Sequence, residues 1–231
     1  MKLADLNSSP RYPVTIPSTG KRSTFRPFLV REERALLTAQ ESEDTGTMIA
    51  TMETVVRNCV DNCPKNLTTF DLEYLMTHIR AKSVGENSDL IFYCDSCNDP
   101  GAKSKVSIDL TQVKVSEKNH SGKIKLNDNL SATLKYPSVA DIIQVQESED
   151  KQLELIKSCL DKLHTPDEVI DLSEEDPEEI DEFISTLTTK QKKEIQFFVD
   201  SIPYTFINIE YSCPVCGKHH NRELKGIGNF F

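Results

Sequence analysis

No stretch of this chain approaches the ~20 apolar residues needed to cross a bilayer as a helix. The opening residues, Met1-Lys2-Leu3-Ala4-Asp5-Leu6, break every short apolar stretch with a polar side chain, so the apolar core of a signal peptide is missing. The expectation is a protein of the cytoplasm. Glycine is scarce, eight in 231 residues, and none cluster ahead of a helix, which removes the Gly-rich loops that cradle phosphates. GxSxG, HExxH and GxGxxG are all missing. Acidic pairs are plentiful, but they fall on helix surfaces where solvation accounts for them. Nothing marks a nucleophile or a general base, and the chain reads as a non-enzyme.

Positive charge is in short supply. Lys and Arg number 27 against 37 Asp and Glu, for a net charge of −10. Wholesale binding to a phosphate backbone needs clustered cations, which that balance argues against. Arg11, Lys21, Arg22, Arg26, Arg31 and Arg34 do crowd the start of the chain. Beside an acidic remainder they read as a solvated or partner-facing surface.

What the chain has is enough length to bury a core without crosslinks, and the 37% hydrophobic and 28% charged composition of a globular protein. It also has seven cysteines, an odd number, four of them in two CxxC pairs. In a reducing compartment paired thiols favour metal over disulfides. The pairs lie in Phe92-Tyr93-Cys94-Asp95-Ser96-Cys97-Asn98 and Glu210-Tyr211-Ser212-Cys213-Pro214-Val215-Cys216-Gly217. Each follows an aromatic-bearing strand and precedes a polar segment, the layout of a zinc ribbon. A CxxC turn aims two sulfurs at one point, and two such turns complete the tetrahedral thiolate shell of one structural Zn²⁺ at Zn–S of about 2.3 Å. The residue after each second Cys commonly needs a left-handed backbone, which Gly217 adopts freely and Asn98 tolerates. The separation of the pairs is far longer than the ~15–20 residues of a compact finger.

Three other readings of the thiols are weaker. A redox CxxC sits at a helix N-terminus after a βαβ unit, and neither pair does. Disulfides within each pair do not suit a cytoplasm. A catalytic ion needs an open position, and His219 and His220 could replace a sulfur, but four thiolates available make a closed site. Cys59, Cys63 and Cys159 fall on predicted helices and read as small core hydrophobes, and His78 as a core or boundary residue.

Residues 12–28 predict a β-hairpin around the turn Pro17–Lys21. Helices are predicted from Glu32 to Gln40, and from Met48 along Met52, Val55, Val56, Cys59, Val60 and Cys63 until Pro64. Another begins at Thr68 or Thr69 and ends before Gly85. Leu90–Tyr93, Val106–Ile108 and Thr133–Lys135 read as short antiparallel strands. Ser138 to Asp141 caps an interrupted helical pattern running to Leu160. Asp176-Pro177 and Thr188–Gln191 open two more helices. Phe206–Tyr211 alternates as a strand into the second CxxC. The predicted architecture is α+β: a helical N-terminal part, a small antiparallel sheet with a split zinc ribbon, and a helical insertion between the two knuckles. As organisation this gives one domain over 1–231, a ribbon sheet from 88–137 plus 204–231, and an insertion over 138–203.

Two segments carry a family resemblance. They are Pro17-Ser18-Thr19-Gly20-Lys21 with Phe25-Arg26-Pro27-Phe28-Leu29-Val30-Arg31-Glu32-Glu33, and Thr69-Phe70-Asp71-Leu72-Glu73-Tyr74-Leu75 with Ile79-Arg80-Ala81-Lys82-Ser83-Val84-Gly85-Glu86. Together they resemble the baseplate hub subunit and hub assembly protein family of T-even-like contractile-tailed bacteriophages. The resemblance implies a late viral protein made in the cytoplasm of the infected bacterium, acting with other baseplate hub or tail proteins. It implies either a virion tail baseplate component or an assembly factor, and no catalytic residues. Arg26, Phe28 and Arg31 are candidate partner-binding residues, since Arg and aromatics are enriched at interface cores. The alternative is that Phe25 and Phe28 cap the core. The rival function is a zinc-ribbon nucleic-acid-binding or transcription-accessory protein.

Overall fold

The computed structural model describes residues 9–97, 99–117 and 122–230. The chain divides into two compact units, Met1–Ser116 with Tyr204–Phe231, and Glu117–Pro203. Both combine helices with small antiparallel sheets, an α+β architecture. No described helix is long and apolar enough to cross a membrane.

The first unit opens on the predicted hairpin, β1 (Tyr12–Thr15) and β2 (Arg22–Phe25), in antiparallel register from Tyr12↔Phe25 to Thr15↔Arg22. Three helices follow, α1 (Val30–Glu41), α2 (Thr45–Cys59) and α3 (Thr69–Ser83). The helix expected to reach Pro64 stops at Cys59. Val60 turns extended to bridge Phe25, and the Asp61 N–H donates to the Thr24 carbonyl at 2.9 Å. Pairing with the hairpin supplies backbone partners there that one more helical turn would have supplied otherwise. Thr68 caps α3, its hydroxyl accepting the Asp71 N–H at 3.3 Å. This helix buries Phe70, Leu75 and Ile79 and forms the spine of the unit. A second hairpin, β3 (Asn87–Tyr93) and β4 (Lys103–Asp109), is followed by the short β5 (Lys114–Val115).

The second unit contains β6 (Lys123–Lys125), β7 (Ser131–Leu134), α4 (Val139–Glu147), α5 (Lys151–Cys159), β8 (Leu160–His164), β9 (Val169–Asp171), α6 (Pro177–Thr186) and α7 (Thr189–Asp200). The expected caps are present. Ser138 and Asp141 exchange hydrogen bonds at the start of α4, as do Thr188 and Gln191 at α7, while Asp176 accepts the Glu178 N–H ahead of Pro177 on α6. The insertion is not purely helical. The pattern expected to run helically to Leu160 breaks after Glu147, restarts where Asp150 accepts the Leu153 N–H, and ends at Cys159. Leu160 then begins a strand, because β7 stands ready to pair with it. Strands in 123–134, placed with the ribbon sheet from sequence, join β8 and β9 in a four-stranded sheet of order β6-β7-β8-β9. Its core is Ala132, Ile156, Cys159, Leu163, Ile195 and Phe198.

The chain then returns to the first unit as β10 (Thr205–Ser212) and β11 (His219–Lys225), a hairpin extended by β5 into a three-stranded sheet. Ile207, Ile209 and Tyr211 are buried and Asn208 and Glu210 exposed, the alternation the sequence predicts. The buried face packs with Ala81 of α3, Ile108, Leu110 and Phe230. Departure and return points are neighbours. The Ser116 N–H donates to the Tyr204 carbonyl at 2.9 Å, and the Tyr204 N–H donates to Ser116 Oγ at 3.1 Å. Replacing Glu117–Pro203 with a short Gly–Ser linker closes a small loop at little entropic cost. The shortened chain should keep dispersed amide NMR signals for β5, β10 and β11. Collapse of those signals would show that the first unit depends on the second.

Candidate metal centre

Each CxxC lies in the turn of a hairpin, the first between β3 and β4 and the second between β10 and β11. Neither is at a helix N-terminus, which fits the sequence argument against a redox motif. The first knuckle is shaped by the Cys94 N–H donating to the Ala102 carbonyl at 3.1 Å and the Ser96 N–H donating to Cys94 Sγ at 3.4 Å. In the second, the Cys213 N–H donates to the Lys218 carbonyl at 2.9 Å and the Gly217 N–H to the Cys213 carbonyl at 3.0 Å. Gly217 takes φ +71°, the left-handed conformation expected of it. Asn98, its expected counterpart, lies outside the described residues.

The four sulfurs of Cys94, Cys97, Cys213 and Cys216 lie within 4.8 Å of one another. Across the two knuckles, Cys94 Sγ is 3.8 Å from Cys216 Sγ, and Cys97 Sγ is 3.6 Å from Cys213 Sγ. A tetrahedron with metal–sulfur bonds of about 2.3 Å has edges of about 3.8 Å. The cluster could therefore hold a metal ion. Its electrostatics are compatible with a cation. Backbone N–H donation from Ser96, with help from His220, pulls the Cys94 thiol down to about 6. The Cys216 N–H lowers Cys213 in the same way. Burial, together with the neighbouring sulfurs, pushes Cys97 up to about 12. Thiolates this close repel one another unless a positive charge sits among them.

The surroundings are organised around the same point. His220 is buried, stacks on Tyr211 at 4.9 Å between ring centroids, and brings Nε2 to 3.3 Å from Cys94 Sγ. Tyr211 stacks in turn on Phe92 at 5.2 Å, so aromatic residues of both hairpins make one pile behind the sulfurs. At the tips Lys218 donates to Ser96 and Arg222 pairs with Asp95, each contact joining the two knuckles. His219, weighed with His220 as a replacement ligand, turns to Ser212 and Glu210 instead. The sequence pattern did not single out His220 as a neighbour of Cys94. Its signal was parity: in β11 it alternates with the exposed His219 and Asn221 and lies opposite Tyr211, its register partner.

The remaining thiols lie elsewhere. Cys59 and Cys159 are fully buried, and burial pushes them up to about 11 and about 12, leaving inert core thiols. Cys63 lies beyond the end of α2 and is half-buried. The candidate partner residues separate. Arg26 turns inward, its side chain 12% exposed, and donates to Glu32 Oε1 at 3.0 Å. Arg31 is 73% exposed and reaches the same oxygen at 2.9 Å. Phe25 is buried in the core, and half-buried Phe28 lines a groove beside α1. Glu32 itself escaped the sequence reading. It is 4% exposed, and its other oxygen accepts the Leu29 N–H at 2.7 Å.

The chain belongs to the T4 bacteriophage base plate protein family, whose profile matches residues 9–231. Among its relatives is the baseplate hub assembly protein gp26 of Enterobacteria phage T4, 24% identical over 216 residues that cover 89% of this chain and 90% of that protein. No solved structure matches this chain.

Proposed function

We propose that the chain is a non-enzymatic assembly protein of the phage tail baseplate hub, held together by one structural Zn²⁺ in a split zinc ribbon. The observation that carries the role is a likeness to a hub assembly protein extending over nearly the whole length of both chains. The partners are then other baseplate hub or tail proteins, met in the cytoplasm of the infected bacterium. The test is mass spectrometry of purified tails and of their assembly intermediates. Presence in intermediates together with hub proteins supports the role, and consistent absence from every hub-containing species sinks it.

The ion reading is supported by the sulfur spacing and by the choice of donors. Four thiolates suit Zn²⁺ better than Mg²⁺ or Ca²⁺, which take oxygen ligands. All four positions filled by protein make the site structural, and the segment between the knuckles becomes an insertion. His220 would donate its Nε2–H to the Cys94 thiolate and fix that ligand's charge and direction. Outer partners of this kind are worth ~10–100-fold in metal affinity. His220→Phe keeps a ring on Tyr211 but removes the donor. It should weaken zinc roughly 10-fold in a chelator competition, at the lower end of that range, and unchanged affinity would remove the hydrogen bond from the account. The nucleic-acid reading is less favoured, because Lys218 and Arg222 at the ribbon tip are already engaged by Ser96 and Asp95.

A further inference from the structure

A groove of about 740 Å³ runs along α1, α2 and α3 in the first unit. Its walls are apolar. Leu36 and Leu37 come from α1, Met48 and Met52 from α2, and Met76 and Val84 from α3 and its end. Leu37 is 53% and Val84 63% exposed, unusual for side chains of this size in a protein with a good core beside them. Three of the chain's four methionines line this one groove. Methionine is unbranched and polarisable, and surfaces built from it adapt to an incoming apolar face.

The charge around the groove is one-sided. Glu33 lies toward one end of α1, and Glu43 and Asp44 lie at the turn into α2. Glu33 and Glu43 are exposed and make no ion pair among the described residues. Asp44 accepts the Thr47 N–H at 2.7 Å, a cap that leaves its negative charge in place. Glu73, deeper in, is turned aside to accept from Thr205 Oγ1 at 2.5 Å. Arg80 is the basic residue lining the groove, set on α3 away from the α1 rim.

We propose that this groove seats an amphipathic helix of another protein, whose apolar stripe meets the leucines and methionines and whose flanking Lys or Arg side chains meet Glu33 and Glu43. A helix is the occupant that fits an apolar trough between helices, reading it through residues at i, i+3, i+4 and i+7. At 1.5 Å per residue, α1 rises about 12 Å from Glu33 to its end at Glu41, and Glu43 lies in the turn just beyond. A partner helix lying alongside therefore carries its basic residues more than two turns apart. Phe28 closes one part of the wall, which gives this residue the partner contact expected from sequence, by a route that does not involve Arg26. The proposal rests on the assembly reading only in expecting a protein partner, and its test reads the groove directly rather than tail intermediates.

The probes are two synthetic amphipathic helical peptides, one of Leu and Lys and one of Leu and Glu, titrated into the full chain and followed by fluorescence anisotropy and amide hydrogen exchange. The Leu/Lys peptide should bind and slow exchange in α1 and α2, while the Leu/Glu peptide should not. Leu37→Asp with Met48→Asp should weaken binding at least ~10-fold, the loss of ~1.4 kcal/mol or more. Glu33→Lys with Glu43→Lys, both on exposed positions, should reverse the preference between the peptides. Protection confined to other elements, or binding indifferent to both double variants, overturns the proposal. So does self-association of the chain that Leu37→Asp abolishes, which makes a second copy the occupant. Tighter peptide binding after deletion of residues 1–8 would assign the groove to that segment and equally overturn it.

Discussion

Changing Cys213 and Cys216 together to Ser should take bound zinc from close to one ion per chain to none, and the Cys94/Cys97 pair should do the same. Two remaining thiolates cannot fill a tetrahedral shell, so each pair is worth the whole site and not half of it. The stability cost lies between two bounds. Structural zinc contributes an apparent ~10–16 kcal/mol in small finger peptides, which have little else to fold around. Loss of a native covalent crosslink typically costs ~2–5 kcal/mol. In this chain β10 already buries Ile207, Ile209 and Tyr211 against α3 and its neighbours, so the lower range applies. A loss of that size lowers a melting midpoint by roughly 10 °C in a chain of this length. Elemental analysis and thermal unfolding check both parts. Cys59→Ser and Cys159→Ser serve as controls that should leave zinc content unchanged. Full zinc retained after loss of either CxxC pair would falsify the four-thiolate site.

Acid should destabilise the first unit through Glu32, and Glu32→Gln should remove that part of the effect. Burial alone would raise this carboxyl, but hydrogen bonds from Arg26, Arg31 and the Leu29 N–H outweigh it and hold it down to about 2. In the unfolded chain a glutamate titrates near ~4.3. Between those values the unfolded state binds the proton and the folded state does not, so stability falls as pH falls. The contribution is complete above about pH 5 and drains away as pH drops toward 2. Integrated over that window it amounts to about 3 kcal/mol. Glu32→Ala goes further, because it strands the mostly buried Arg26 guanidinium and leaves the Leu29 N–H uncapped. Breaking a buried pair from one side costs ~3–5 kcal/mol. Chemical denaturation of wild type and Glu32→Gln across this range gives the answer, since any acid loss of a metal is common to both curves. Parallel curves would show that the carboxylate is not what acid attacks.

Local chemistry made much of this fold readable. Ser138 with Asp141, Thr188 with Gln191, and Asp176 before Pro177 each satisfy helix N–H groups from within a few residues, so neighbours in sequence suffice to locate them. The strand through Ile207, Ile209 and Tyr211 declared itself by period, and the CxxC turns by spacing. Where partners are remote, the pattern falls silent. Cys59 ends its helix because Phe25 and Thr24 wait beside it, a fact absent from the Met48–Cys63 periodicity. Leu160-Asp161-Lys162-Leu163 can spell either a helix turn or a strand, and only β7 decides. Glu32 stands in a charged run, Arg31-Glu32-Glu33-Arg34, that looks uniformly solvated until Arg26 is brought in from the loop ahead of it. The four sulfurs were legible as types and turns, while their distances of 3.6 and 3.8 Å required the tertiary fold.

The gap of 116 residues between Cys97 and Cys213 also sets a clock on biosynthesis. At ~5–20 residues per second, a ribosome needs about 6–23 s to travel from one to the other. Throughout that interval the first pair of thiols has no second pair with which to complete the shell. A nascent chain halted anywhere in the stretch can never complete the clasp. On the proposed four-thiolate site, an ion could be fully coordinated only by a polypeptide that has passed Cys216.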